Sequence, residues 1–136
     1  MLSGSCGCSQ KVMAHLLKRH LFDGLVEQVL VIDSGEAYLP GSDALLTKLT
    51  QQGFAVFHLA ANDISQDIGL RGVPLLIFAS SENKILYMAG YGSLEDQDTK
   101  ILQQIRAGQR PKGLSVLGCA VGSRVRSKAD PFRLKY

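Results

Sequence analysis

Two cysteines separated by a single glycine stand near the start of the chain, at Cys6 and Cys8. Apolar side chains at helical spacing follow them directly: Val12, Met13, Leu16, Leu17 and Leu21. A thiol at the start of a helix ionises more easily, because unpaired backbone N–H groups and the positive end of the helix dipole stabilise the thiolate. Since the thiolate is the attacking species in disulfide exchange, the cysteine pair together with Gly72-Val73-Pro74 before an apolar strand predicts thiol–disulfide chemistry.

The roles of the two thiols follow from their order along the chain. Cys6 is expected to lie outermost and to act as the nucleophile, and Cys8, closer to the helix, to act as the resolving thiol. Gly7 gives the short ring between them a wider range of backbone angles. The reverse order of the two roles stays open.

The elements that position these thiols follow from the hydrophobic pattern. In chain order we expect a helix capped by Ser9 and stopped by Gly24, a strand at 29–32, a helix closing at Gly53, a strand at 54–59, a hairpin of strands at 75–78 and 85–88, and a helix beginning near Ser93. The helical connection makes the first two strands parallel, and the short turn makes the last two antiparallel. The pattern predicts an α/β fold.

Length and charge divide the chain into two parts. Its 136 residues suffice for one domain with its own core. From Arg106 onward eight Lys or Arg accompany the single Asp130, whereas residues 1–105 hold seven basic and eleven acidic side chains. We therefore expect a domain at 1–107 and a basic C-terminal tail at 108–136, partly docked through its apolar run. No apolar run has membrane-spanning length.

The cysteine pair before the first helix, together with Gly72-Val73-Pro74 before the hairpin, resembles the thioredoxin-like superfamily over residues 5–105. Cys6-Gly7-Cys8-Ser9 and Gly118-Cys119-Ala120 are similar to a poorly characterised bacterial branch with a C-x-C site. The resemblance implies a three-layer α/β sandwich with a mixed sheet and redox-active cysteines. The chain departs from the family in having no tryptophan and a cysteine spacing one residue shorter than C-x-x-C.

The family also places a central strand directly before the cysteines, whereas five residues precede Cys6. The sheet is therefore expected to lack its first central strand. We favour the explanation that a preceding strand, with an export anchor, is missing through an internal start. The apolar tail segment Leu114 to Val121, or strand exchange with a second copy in a homodimer, would also fill the gap.

A proline directly before a buried strand is typical of a fixed peptide bond, which in some proteins is cis. A cis bond at Pro74 would leave the backbone groups of Val73 facing the cysteines, where an extended substrate could pair as an added strand. Val73 and Pro74 are therefore candidate substrate-binding residues. An ordinary edge-strand proline is the alternative.

Several other residues have both a chemical and a structural interpretation. Cys119 is expected to be a small buried hydrophobe; the alternative is a secondary resolving thiol, or one that docks the tail by a disulfide. A cluster of Cys6, Cys8 and His15 would suit Zn²⁺ or Cu⁺, but its spacing is not a zinc pattern, so we assign no metal site. Asp33 and Asp63 either assist proton transfer or form turns.

Together these features predict a thiol–disulfide oxidoreductase acting on a protein or small-molecule thiol or disulfide. Thiol–disulfide exchange requires no bound cofactor, and none is expected. No nucleic-acid partner is expected either, since the basic tail has few aromatic residues among its charges. The alternative is a non-catalytic thioredoxin-like module, either a metal carrier or a protein-interaction scaffold. The compartment stays open: cytoplasm for the chain as written, and periplasm or cell envelope if a strand and an anchor precede it.

Overall fold

The computed structural model describes residues 1–64, 72–92 and 96–120. Within these ranges the chain is mixed α/β, with three helices and two small sheets. The elements are α1 (Gly7–Leu16), β1 (Gln28–Asp33), α2 (Ser42–Gln51), β2 (Ala55–Ala60), a 3₁₀ turn (Ala61–Asp63), β3 (Leu75–Ala79), β4 (Ile85–Gly90) and α3 (Gln97–Arg106). The predicted α/β class is confirmed.

The strand directions also agree with the sequence pattern. β1 and β2 are parallel, with Val31 opposite His58, and β3 and β4 are antiparallel, with Leu75 opposite Gly90. The helical connection through α2 and the short turn after β3 account for the two directions.

An extended segment, residues 1–3, lies between the two sheets. Leu2 donates to Leu30 O and accepts from Ile32 N, both at 2.8 Å, and so runs parallel to β1. Met1 exchanges two hydrogen bonds with Leu75 at the start of β3, at 2.6 and 2.9 Å. Hydrogen bonds therefore connect β1 to β3 through the residues that lead to Cys6. Residues 1–3 thus lie beside β1, where Leu2 forms a parallel bridge with Val31.

The helix boundaries differ from the predicted ones. α1 begins at Gly7, so Cys6 and not Ser9 is its N-cap residue. Ser9 is fully buried, and its hydroxyl accepts a hydrogen bond from Ser3 N at 3.0 Å. α1 ends at Leu16 rather than near Gly24, because Lys18 N bonds to His15 O in a tightened last turn. The predicted start of the last helix at Ser93 lies outside the described residues.

The core lies mainly among α1, β1 and α2, and its fully packed members are Leu2, Val12, Met13, Leu16, Val29, Val31, Leu46, Leu49, Phe54 and Tyr91. Ion pairs of Asp98 connect α3 to this core. Asp98 on α3 is 1 % exposed, accepts from Arg19 Nε at 2.8 Å and lies 3.2 Å from His15 Nε2. Among the described residues no helix is both long and apolar enough to cross a membrane.

Candidate functional site: a cluster of three thiols

Three cysteines pack around one small apolar cluster near the N-terminal end of α1. Cys6 is completely buried in a small apolar cluster with Ile32 and Val73, and the partly buried Cys8 and Cys119 pack against the same cluster. All three cysteines lie in the described part of the chain, and none of them is in a disulfide. The structure thus brings Cys119 to the cysteine pair predicted from the sequence.

The backbone before α1 holds Cys6 in place. Gly4 O accepts hydrogen bonds from Leu39 N and from the buried Ser42 hydroxyl, both at 2.8 Å. The loop before Cys6 is therefore fixed to the start of α2. As the N-cap residue, Cys6 points inward from the first turn, and its Sγ lies 3.9 Å from Val73 O.

The surroundings of Cys6 act on its ionisation in opposite directions. Burial raises the pKa of Cys6, while hydrogen bonds from the Cys119 side chain and from Ser9 lower it, and the net pKa is below the ordinary value of a thiol. These hydrogen bonds stabilise the thiolate although Cys6 is buried. Cys6 is therefore activated even though it is shielded from solvent.

The expected order of exposure in the cysteine pair is reversed. Cys6 is 0 % exposed, whereas Cys8 is partly exposed and lines an open groove. The reason is the early helix start, which turns the N-cap residue inward and leaves Cys8 on the first helical turn. Of the cysteine pair predicted from the sequence, Cys8 lines the groove and Cys6 does not, and the partly exposed Cys119 lines the groove as well.

The groove has a volume of about 1190 Å³ and runs between α1, α2 and the tail. Lys11 on α1 and Lys48 on α2 line it together with Cys8. Tail residues 116–119 form part of its wall, including the half-exposed Leu117. Its size suits an extended peptide or a tripeptide-sized molecule, and its two ammonium groups favour a ligand with negative charge.

The Val73–Pro74 peptide bond is cis, one of the two forms that the sequence left open. Val73 N donates to Cys119 O at 3.0 Å, and Cys119 N donates to Val73 O at 2.9 Å, forming an antiparallel bridge. Both backbone groups that the sequence assigned to an extended substrate are therefore bonded to the tail of this chain.

Glycines permit this close approach of tail and loop. A Cβ atom on Gly118 would overlap the Val73 carbonyl group, and one on Gly72 would lie 2.9 Å from Cys119 O. A side chain at either position would push the two segments apart. Glycines beside Cys119 and Val73 were the only sequence signal that these segments meet.

The other candidate residues lie elsewhere. His15 contacts Asp98 and not the thiols, so the cluster of Cys6, Cys8 and His15 considered for Zn²⁺ or Cu⁺ is not formed. Within the described ranges no three His, Cys, Asp or Glu side chains form a metal-binding group. Asp33 bonds to the Tyr38 hydroxyl and lies 3.4 Å from His58 Nδ1, which makes it part of a surface cluster.

Sequence reasoning missed the two groove lysines. Lys11 follows Cys8 by three residues and so shares its helix face, a signal that was readable from spacing alone. Lys48 comes from α2 and required the tertiary structure.

Comparison of the chain with protein-family models, with curated proteins and with solved structures finds no match. The three thiols and their surroundings therefore carry the functional interpretation.

Proposed function

We propose that the protein is a thiol–disulfide oxidoreductase with thioredoxin-like architecture, in which Cys8 meets the substrate and Cys6 completes the exchange. One observation carries the proposal: a buried thiol with a lowered pKa stands two residues from a partly exposed thiol at the start of a helix. Such a pair combines access with activation, the two requirements of disulfide exchange.

The exchange proceeds in two balanced steps. The Cys8 thiolate attacks one sulfur of a substrate disulfide, which forms a mixed disulfide and releases the other substrate sulfur as a thiolate. The Cys6 thiolate then attacks the Cys8 sulfur, which forms the Cys6–Cys8 disulfide and releases the second substrate thiolate. Two electrons pass from the protein to the substrate, and solvent protonates the released thiolates. The reverse sequence oxidises a dithiol substrate.

The order of the strands supports the thioredoxin-like part of the proposal. Residues 1–3 lie between β1 and β3 and lead within three residues to Cys6. The thioredoxin-like resemblance implies a central strand in this position, directly before the cysteines. The 3.9 Å contact between Val73 O and Cys6 Sγ also supports this part of the proposal, since the resemblance implies a proline loop beside the cysteines.

The groove indicates the class of substrate. Because Lys11 and Lys48 flank the approach to Cys8, a disulfide that carries carboxylates binds better than a neutral one. Oxidised glutathione is a suitable probe, since it combines a disulfide with several carboxylates.

The test is the capture of the first mixed disulfide. Reduced protein is mixed with oxidised glutathione, quenched with acid and an alkylating agent, and analysed by intact mass and peptide mapping. We expect a transient glutathione adduct on Cys8 that is replaced by an internal disulfide. In Cys6→Ser the adduct on Cys8 should last longer, because the resolving thiol is absent.

The matched control is Ala44→Ser, which places a hydroxyl in the same groove without removing a thiol. Ala44→Ser should form the adduct at the wild-type rate, and Cys8→Ser should form none at position 8. A folded wild-type protein that forms neither an adduct nor an internal disulfide would overturn the proposal.

A further inference from the structure

We propose that Cys119 is a third redox thiol of this site, and that the disulfide in which oxidised protein comes to rest joins Cys6 to Cys119. The inference rests on the proposed function and deepens it: the tail would occupy the place of an extended substrate and present its own thiol to Cys6.

The backbone positions Cys119 as an added strand. Its N–H and C=O groups both bond to Val73, at 2.9 and 3.0 Å. Val73 O is also the carbonyl that lies 3.9 Å from Cys6 Sγ. Val73 therefore contacts the Cys6 thiol and also holds the Cys119 backbone through two hydrogen bonds. These backbone bonds set the position of Cys119, which does not depend on a flexible side chain.

The side chains meet in the same place. The Cys119 side chain packs against the apolar cluster of Cys6, Ile32 and Val73, and it lowers the pKa of Cys6. The two cysteines are thus held close together at the edge of an apolar cluster, with Cys6 buried and Cys119 partly exposed. This is the arrangement that favours an internal disulfide over a lasting adduct with a soluble thiol.

The sequence permits this docking at a specific position. A Cβ atom on Gly118 would overlap the Val73 carbonyl, whereas one on Gly113, earlier in the same tail, would make an ordinary contact of 3.5 Å with Ala89. Gly118 therefore has a role that Gly113 lacks: it lets the tail approach the loop closely enough for Cys119 to reach Cys6.

The added step balances as an internal exchange. After Cys6 and Cys8 have formed their disulfide, the Cys119 thiolate attacks the Cys6 sulfur. The Cys6–Cys119 bond forms, the Cys6–Cys8 bond breaks, and Cys8 leaves as a thiolate. The proton lost by Cys119 is regained by Cys8 through solvent, and no electrons enter or leave the protein. The accessible thiol is restored while the oxidised bond moves into the apolar cluster.

The first experiment uses Cys8→Ser, which removes the competing partner of Cys6. The full chain is equilibrated in glutathione buffers, free thiols are alkylated, and linked peptides are mapped by mass spectrometry without reduction. We expect a Cys6–Cys119 link within one chain, and in the wild type we expect the same link with Cys8 alkylated. A dominant Cys6–Cys8 link in the wild type, or free or glutathione-bound Cys6 and Cys119 in folded Cys8→Ser, would overturn the proposal.

The second experiment tests the docking itself. Gly118→Ala should lower the equilibrium yield of the Cys6–Cys119 link about tenfold, since a clash of this kind typically costs one or more kcal/mol. Gly113→Ala should retain the wild-type yield. Equal yields in the two variants, each with the wild-type circular dichroism spectrum, would contradict the proposal.

The two proposals fail in different ways. An adduct on Cys8 without any link to Cys119 overturns the third thiol and leaves the oxidoreductase. A folded wild-type protein that forms neither an adduct on Cys8 nor any internal disulfide overturns the oxidoreductase.

Discussion

Cys6 shows how a thiol can be both buried and activated. Its complete burial would by itself raise the pKa, and its hydrogen bonds to Cys119 and Ser9 reverse that effect. The donors include the Cys119 side chain and backbone N–H groups at the start of α1. Solvent cannot compensate for a lost donor at this depth.

The Cys119→Ala substitution tests this dependence. We expect the pKa of Cys6 to rise, because the alanine removes a hydrogen bond that stabilises the thiolate. The measurement is the thiolate absorbance at 240 nm as a function of pH, comparing Cys8→Ser with Cys8→Ser/Cys119→Ala, so that Cys6 is the remaining thiol in the second protein. A midpoint for Cys6 that stays the same or falls would exclude Cys119 as its donor.

At the scale of single residues the sequence predicted the identities of the reactive groups better than their surroundings. Cys6 and Cys8 were found because an adjacent helix pattern gives a local signal. The inward turn of Cys6 was missed because the N-cap residue of α1 is Cys6 and not the predicted Ser9. The contact between Cys6 and Cys119 joins residues far apart in the chain and has no local signal.

At the scale of elements, one buried ion network fastens α3 to α1. Asp98 is almost fully buried between Arg19 and His15. The Tyr91 hydroxyl faces the same carboxylate, although its geometry falls short of a full hydrogen bond. Burial raises the pKa of Asp98, but Tyr91 and the Arg19 guanidinium lower it, and the net pKa lies below the usual value of an aspartate.

Asp98→Asn should lower the free energy of unfolding by about 2 to 3 kcal/mol, because Arg19 then loses a buried charged partner. The folded pKa of Asp98 is below its unfolded value of about 3.9. Its stabilising contribution is therefore complete above that pH and is lost as the pH falls through the folded value.

Urea unfolding at pH 7 and at stepwise lower pH measures both effects. The variant should show a weaker loss of stability below about pH 4 than the wild type does. The matched control is Asp23→Asn in an exposed loop, which should change the stability by less than about 0.5 kcal/mol. Equal stabilities of the Asp98 and Asp23 variants would show that the network does not hold α3.

The groove between α1 and α2 makes a prediction about charge. Lys48→Gln should raise the KM for oxidised glutathione about two- to fivefold, the size of one exposed charge interaction, and should leave the KM for neutral hydroxyethyl disulfide unchanged. The difference should shrink as salt is added. Lys100→Gln on α3, outside the groove lining, is the control. A similar rise of the KM for both disulfides would mean that Lys48 affects the shape of the groove and does not attract the charge of the substrate.

The elements themselves were largely predictable. Continuous apolar runs at 29–32 and 75–78 indicated β1 and β3, and the directions of both strand pairs followed from the lengths of their connections. The role of residues 1–3 was not predictable, because Met1-Leu2-Ser3 is too short to show a strand pattern and becomes extended only through bonds to Leu30, Ile32 and Leu75.

At the scale of the whole molecule, the thiol cluster joins three distant parts of the chain. The start of α1, the loop at Val73 and the tail at Cys119 meet in one apolar cluster. A disulfide between Cys6 and Cys119 would close a loop of more than 100 residues, whereas one between Cys6 and Cys8 closes almost none. The two disulfides therefore differ greatly in how much conformational entropy they remove from the unfolded chain.

Oxidation should consequently stabilise the wild-type protein by as much as about 4 to 5 kcal/mol, the loop-closure effect for a ring of this size. Cys119→Ala should gain little, because only the short ring remains available. Urea unfolding of the oxidised and reduced forms of both proteins measures the difference.

By linkage, a disulfide that stabilises the fold is harder to reduce, by about 30 mV for each 1.4 kcal/mol. The wild-type midpoint should thus be more negative than that of Cys119→Ala, so the reduced protein would pass electrons to its substrates. Equal redox midpoints in the wild type and Cys119→Ala would contradict both this direction of electron flow and the Cys6–Cys119 disulfide on which it depends.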